Sequence, residues 1–367
     1  MKKIIVLFID AFSHNYLNRE DTPFLSTQNV HTLRPVFGFK QLASVFTGLD
    51  PCSSGWLAEH YYDPENSPFK WTQSLPSSLL TSIDFFLRKP IDFLNYKILH
   101  QNKVLSSKTP LKLAKFFDIN EKPFPEKSLI MSLLKEKGLS HRFIFHPEVK
   151  TNEEAFKLFK LLYNTKKLPD FLFLHFPELD PVTHSLGTES ISRVELTRRL
   201  DHMIEKIFMM TSKNSYIIAF SDHGMIDVKN QINLYPKINK LGHLGRDFLV
   251  FFDSIMVRFW IFNNSLTQKI EKMLDDEIHG KIVYSKSSEM NEMFGDLMFL
   301  CKPGYILFPN FYDQKPPKSM HGYHITPSSK SPLSGILFVS DLLGISKENN
   351  FSMTDIASIL KHTIESL

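Results

Sequence analysis

Three apolar runs in this chain are each cut short by acidic or imidazole side chains. Residues 3–9 read KIIVLFI and meet Asp10. Residues 171–176 read FLFLHF and lead through Pro177, Glu178 and Leu179 to Asp180. Residues 216–220 read YIIAF and end at Ser221, Asp222 and His223. Unbroken β-branched and aromatic runs are the pattern of strands buried on both faces of a parallel sheet. Helical spacing appears between them. Ile191, Val194, Leu200, Met203, Ile204 and Ile207 predict a long helix over 188–210, with Thr188 or Ser190 as its cap. A short helix is predicted over 42–47, ending at Gly48, a late strand over 335–340, and a closing helix over 354–366. Strands alternating with helices predict an α/β fold, with three layers (α/β/α) around a mostly parallel central sheet.

The stretch 54–169 lacks this rhythm. It is rich in Phe, Leu, Lys and Pro, with helical patches at 79–87, 91–99 and 128–137. It reads as a cap inserted into a single domain spanning 1–367. Residues 247–262 and 281–312 are strand-rich and could form a second lobe. Hydrophobic residues make up 43% of the chain, which supports a folded core. The net charge of +4 is spread among interspersed acids and bases. That argues against a nucleic-acid surface and suits a small anionic substrate. Cys52 and Cys301 cannot build a disulfide framework, so a reducing, cytoplasmic setting is expected. The apolar start is shorter than the roughly 7–15 residues of a signal h-region, and no run of about 18 apolar residues predicts a transmembrane helix.

Carboxylates and imidazoles are costly in a core, so their place at strand ends needs a cause. Ligands of open α/β sheets bind beyond the carboxyl ends of the strands, where Asp10, Asp180, Asp222 and His223 fall. Asp and His are oxygen and nitrogen ligands suited to zinc. Asp222 and His223 put both ligand types on one turn. Asp180 and His184 could reach one ion if the backbone turns between them, and Pro181 favours a turn. Taken singly, each Asp could be a helix cap and each His a hydrogen-bonded structural residue. Taken together they point to divalent metal ions, a pair of which can clamp the attacking and leaving oxygens of a phosphoryl group.

These pieces occur in a characteristic order: Phe8-Ile9-Asp10, Thr22-Pro23-Phe24-Leu25, Thr47-Gly48-Leu49-Asp50-Pro51, Asp180 with His184 and Gly187, Ser221-Asp222-His223-Gly224-Met225, and His321-Gly322-Tyr323. The set resembles the alkaline phosphatase superfamily, and within it the type I phosphodiesterase/nucleotide pyrophosphatase family. The resemblance implies a metal-dependent hydrolase of phosphate esters or anhydrides acting on a small phosphorylated substrate. It implies two divalent ions, zinc or alternatively manganese. Asp180, His184 and His321 would hold one, and Asp10, Asp222 and His223 the other. It also implies a Ser or Thr that attacks phosphorus and forms a covalent intermediate.

That hydroxyl is where the chain departs from the pattern. The corresponding residues are Gly38, Phe39, Lys40 and Gln41, none of which carries one. Ser44 could serve, although its depth in the predicted helix suits a packing residue. Lys40 could bind an anion while water attacks directly, or could be an ordinary solvated lysine. The site could also bind a phosphorylated ligand without turnover, or act on phosphomonoesters or phosphonates. Ser54-Gly55 replaces the usual His-Gly after the Thr-Gly turn. Sulfatase chemistry is set aside, because Cys52 lacks the Cys-x-Pro-x-Arg context. His324, three residues after His321, could support a metal ligand from behind or be a surface loop histidine, whereas His243 and Arg246 could touch a substrate phosphate or be solvated loop residues. Trp56, Tyr61 and Tyr62 could stack on a base or fill a core.

Overall fold

The computed structural model describes residues 2–86, 109–120, 122–285, 292–313, 315–321, 332–340 and 350–367. The helix expected over 91–99 and His324 lie outside the described residues. The chain forms two compact units: residues 1–54, 123–227 and 318–367 make the first, and residues 55–122 and 228–317 the second.

The first unit is built on a seven-stranded sheet among the described residues. Across it run Asn350–Ser352, Val30–Arg34, Gly335–Val339, Ser215–Phe220, Lys3–Ile9, Phe171–Phe176 and His141–Ile144. Gly335–Val339 is antiparallel to both neighbours, and the other pairings are parallel. Lys3–Ile9 sits near the middle, and alternate residues feed opposite faces. Ile5, Leu7 and Ile9 pack with Phe156 and Phe159 of the helix Asn152–Asn164 and with Leu200, Ile204 and Ile207 of the helix Ile191–Thr211. Ile4, Val6 and Phe8 pack with Val45 and Phe46 of the helix Gln41–Thr47, Leu134 of Leu129–Glu136, and Ile356 and Leu360 of Met353–Glu365. This is the expected three-layer α/β/α arrangement. Ser190, the second of the two expected caps, opens the long helix by accepting from the Arg193 amide.

The cap expected over 54–169 is divided between the units. Residues 123–169 belong to the first unit, where His141–Ile144 pairs with Phe171–Phe176 at the sheet's edge. An edge strand of four residues, with His141 exposed, carries too little apolar pattern to announce itself. Residues 55–122 instead join 228–317. The second unit has a four-stranded antiparallel sheet ordered Phe248–Phe252, Met256–Ile261, Leu297–Cys301 and Gly280–Ser285. Two short pairs accompany it: His60–Tyr62 with Phe117–Ile119, and Asn230–Ile232 with Tyr305–Leu307.

Candidate metal centre

The register of the sheet brings the candidate residues to one edge. Phe8 lies between His175 and Phe220. Asp10 and Asp222 are each two residues further on, so both leave the sheet at its carboxyl edge. Val30–Arg34 points the same way, because Gly335–Val339 is antiparallel both to it and to Ser215–Phe220. The loop 35–40 therefore opens at that edge too.

Two turns are stapled together there. Ala11 holds φ of 59°, a left-handed conformation costing a non-glycine residue roughly 1–2 kcal/mol. The Ala11 amide points at Oδ1 of Asp222 (3.4 Å), and the Phe12 amide donates to Oγ of Ser221 (2.8 Å). Ser221 in turn donates to the carbonyl of His223 (2.9 Å). Gly335 completes the fit, since a Cβ there would lie 2.1 Å from the carbonyl oxygen of Ser221.

Asp10, Asp222 and His223 present one donor atom each within 4.8 Å of one another. Nε2 of His223 is 3.8 Å from Oδ1 of Asp10 and 3.5 Å from Oδ2 of Asp222. Its Nδ1 lies 3.1 Å from the Gly224 carbonyl, so Nδ1–H donates and the Nε2 lone pair faces the carboxylates. His184 repeats the device: Nδ1 is 2.7 Å from the Ser319 carbonyl, and Nε2 is 3.5 Å from Oδ1 of Asp180. Lone pairs turned towards carboxylates repel them unless a cation intervenes, and a backbone partner for the other nitrogen is usual for metal-binding histidines. The turn expected between Asp180 and His184 is a helix instead, Leu179–Leu186. Helical spacing puts positions four apart on one face, and Pro181 is tolerated in the first turn, where amides lack intrahelical partners. His321 ends the strand Ser319–His321, opposite Met225, two residues beyond His223.

Electrostatics follow from this crowding. Burial, then the charges of Asp10 and Asp222, push the Asp180 carboxyl well above its ordinary range. Burial and the Asp10 charge do the same to Asp222. For Asp10, burial also works upwards, but it is outweighed. The hydrogen bond from His175, and the positive charge that His175, His223 and His184 carry when protonated, hold Asp10 below its usual value.

His175 went unnoticed in the sequence. Its Nε2 lies 3.3 Å from Oδ2 of Asp10, and its ring stacks on Phe8 at 4.7 Å. The available signal was a polar residue alone in the apolar run FLFLHF.

The expected hydroxyl is replaced by a different local structure. Gly38 has φ of +128°, a region in which a threonine would be strained. The Gln41 side chain accepts from the Val36 amide at 2.9 Å and donates to the carbonyls of Val36 and Gly38, tying the loop to itself. Lys40, immediately before the helix, is 8% exposed, so it is not a solvated lysine. Ser44 is fully buried within that helix. In the second unit Arg246 pairs with Asp247 at 3.0 Å, close to His243, on an exposed loop. Tyr61 donates to Asp118 at 2.8 Å, and Tyr62 packs near Trp260 and Phe262.

A family model described as type I phosphodiesterase/nucleotide pyrophosphatase matches residues 4–324. No curated protein matches the chain in sequence. Among solved structures, murine ectonucleotide pyrophosphatase/phosphodiesterase 5 superposes with a TM-score of 0.66 at 16% identity, covering 99% of this chain and 95% of that one. An inactive threonine-to-alanine variant of the murine protein, in complex with AMP, gives 0.66 at 16% identity, covering 100% and 95%. The human protein gives 0.64 at 15% identity, covering 99% and 95%. These structures share the fold, a mixed α/β architecture with a mostly parallel central sheet.

Proposed function

Because the chain belongs to the type I phosphodiesterase/nucleotide pyrophosphatase family, a family of hydrolases, we propose that it cleaves phosphate diesters or anhydrides of a small phosphorylated substrate at a two-ion centre. The observation that carries this reading is the convergence of Asp10, Asp222 and His223 at the carboxyl edge, with donor atoms within 4.8 Å. Carboxylate oxygens and an oriented imidazole nitrogen form a donor set that zinc or manganese accepts. Asp10, Asp222 and His223 would hold one ion, and Asp180, His184 and His321 the other. Bound there, such ions polarise a phosphoryl oxygen and neutralise charge on the attacking and leaving oxygens.

The rest of the work falls to the chain. Ser221 and the Ala11–Phe12 amides fix the turns that carry Asp10 and Asp222. The backbone carbonyls of Gly224 and Ser319 fix the rings of His223 and His184. Lys40, buried where the loop leaves the carboxyl edge, offers a positive charge for a phosphate oxygen. With no hydroxyl at 38–41 and Ser44 sealed in its helix, water is the attacking group. Its oxygen bonds to phosphorus as the bond to the leaving oxygen breaks; the water gives up one proton and the leaving oxygen takes up one. A single displacement of this kind forms no phosphoryl-enzyme. Cleavage of a phosphodiester made chiral at phosphorus should then invert its configuration, and retention, the mark of two displacements, would overturn direct attack.

The activity itself is tested with a nitrophenyl phosphodiester and added zinc or manganese. Asp222→Ala and His321→Ala should each abolish metal-dependent hydrolysis, and full activity in both would refute the reading. Gly38 favours a second reading, in which the centre binds a phosphorylated ligand without turnover. Hydrolysis of any member of a broad panel by the pure protein would exclude it. That panel should include nucleotides, given the AMP named with the murine variant. Rates on matched monoesters, diesters and phosphonates then separate the substrate classes.

A further inference from the structure

His175 occupies a slot that the surrounding sequence treats as apolar. Phe171, Leu172, Phe173, Leu174 and Phe176 flank it on its own strand, and Phe8 stacks on its ring. It is only 8% exposed. Its Nδ1 is buried and has no hydrogen-bond partner among the described residues. A buried polar atom left unpaired is costly, and a phenylalanine or leucine would avoid that cost. The contact that offsets it is the one from Nε2 to Oδ2 of Asp10, at 3.3 Å. With no acceptor for Nδ1, the neutral ring carries its proton on Nε2 and donates it to Asp10. Oδ1 of Asp10 is thereby left on the side of His223, 3.8 Å from its Nε2.

We propose that His175 is the positioning residue of the metal centre: it holds one oxygen of Asp10 so that the other is presented to the ion. The inference rests on reading Asp10, Asp222 and His223 as ligands, and it adds a residue outside that set. A partner behind a liganding carboxylate fixes its orientation and raises affinity, and losing such partners costs about 10–100-fold in metal affinity.

The test is zinc titration of metal-stripped protein by calorimetry, with cobalt absorption spectra as a second readout. His175→Phe fills the slot and removes the donor. It should weaken zinc binding by about 10–100-fold while leaving the metal-free melting temperature unchanged or higher. His175→Gln keeps an N–H near Nε2 and should recover most of the affinity and the parent cobalt bands. If His175→Phe does not fold, His175→Leu supplies the same comparison. Parent-like affinity in the Phe or Leu variant would overturn the proposal, as would an equal loss in the Gln variant. Asp222→Ala serves as the locating control. If the parent binds no ion, or Asp222→Ala binds as the parent does, the reading of the centre itself falls, and this inference with it.

Discussion

Both units bury charge, and they do so in opposite ways. In the second unit Asp253 and Arg258 are fully buried and answer each other: Nε and Nη2 of the arginine reach the two carboxylate oxygens at 2.7 and 3.2 Å. Nη1 donates to the His60 carbonyl at 2.8 Å, and the Tyr312 hydroxyl lies 3.4 Å from Oδ1 of Asp253. The guanidinium also sits over the rings of Phe251 and Trp260. In the first unit, Asp10, Asp180 and Asp222 crowd around imidazoles whose lone pairs face them. One cluster balances its charges and braces its fold. In the other, burial and neighbouring carboxylate charge push Asp180 and Asp222 well above their ordinary range, an arrangement that gains from an added cation. Desolvation is heavy in both, since burial holds even Asp253 above its ordinary range despite the arginine.

The contrast predicts opposite responses to substitution. Asp222→Asn removes a proposed ligand and should lower metal-dependent hydrolysis on the order of 1,000-fold, the equivalent of several kcal/mol of lost charge stabilisation. The same change relieves repulsion, so the metal-free protein should melt at a higher temperature in chelator. A lower melting temperature would mean that the first cluster is a brace as well. Arg258→Ala leaves Asp253 buried and unpaired, and should cost about 3–5 kcal/mol in chemical denaturation. A loss below about 1 kcal/mol, the value of an exposed pair, would end the description of that pair as a brace.

The first unit's frame was largely visible in the sequence, because periodicity reports burial directly. The strand Phe171–Phe176 and the helix Ile191–Thr211 lie where pattern and cap signals put them. Asp10 and Asp222 stood out because they interrupt apolar runs. His175 interrupts an apolar run too, but it went unread because the partner that explains it, Asp10, lies 165 positions away. The helix carrying Asp180 and His184 was hidden by Pro181, which reads as a turn signal unless the first helical turn is recognised. The second unit was legible in part, since residues 247–262 and 281–312 were expected as a strand-rich second lobe, but the share that comes from 55–122 was hidden. It joins residues 55–122 to 228–317, and the strand pairs His60–Tyr62 with Phe117–Ile119 are three residues long. Runs that short carry no resolvable period.

Acid titration separates the clusters more finely. Asp180, Asp222 and Asp253 all have folded pKa values above the unfolded 3.8. Between that value and the raised one, the native state holds more protons than the unfolded state, so stability falls as pH rises. Asp10, with a lowered pKa, contributes the opposite slope, and only below 3.8. Metal-free protein should therefore lose melting temperature as pH rises from about 4 towards neutrality, as far as these groups are concerned. Saturating zinc should remove the share due to Asp180 and Asp222 and leave that of Asp253. An identical slope with and without zinc would show that the ion does not bind at those carboxylates.

The smallest effects bear on the same contrast through single hydroxyls. Ser221 accepts from the Phe12 amide and donates to the His223 carbonyl, so it joins the two turns that carry Asp10 and Asp222. Tyr312 joins Asp253 to the ring of His60, 2.9 Å from its Nδ1. Ser221→Ala and Tyr312→Phe each remove one hydroxyl and should each cost about 1–3 kcal/mol, the price of leaving buried partners unsatisfied. Metal affinity should tell them apart. In Ser221→Ala the Asp10 and Asp222 turns lose their common tie, and zinc should bind more weakly. In Tyr312→Phe the disturbed charge already has an arginine beside it, and zinc affinity should match the parent. Equal zinc affinities in the two variants would place the ordering of the centre in the strands alone, with the strained turn at Ala11 as a consequence of the fold rather than part of the site.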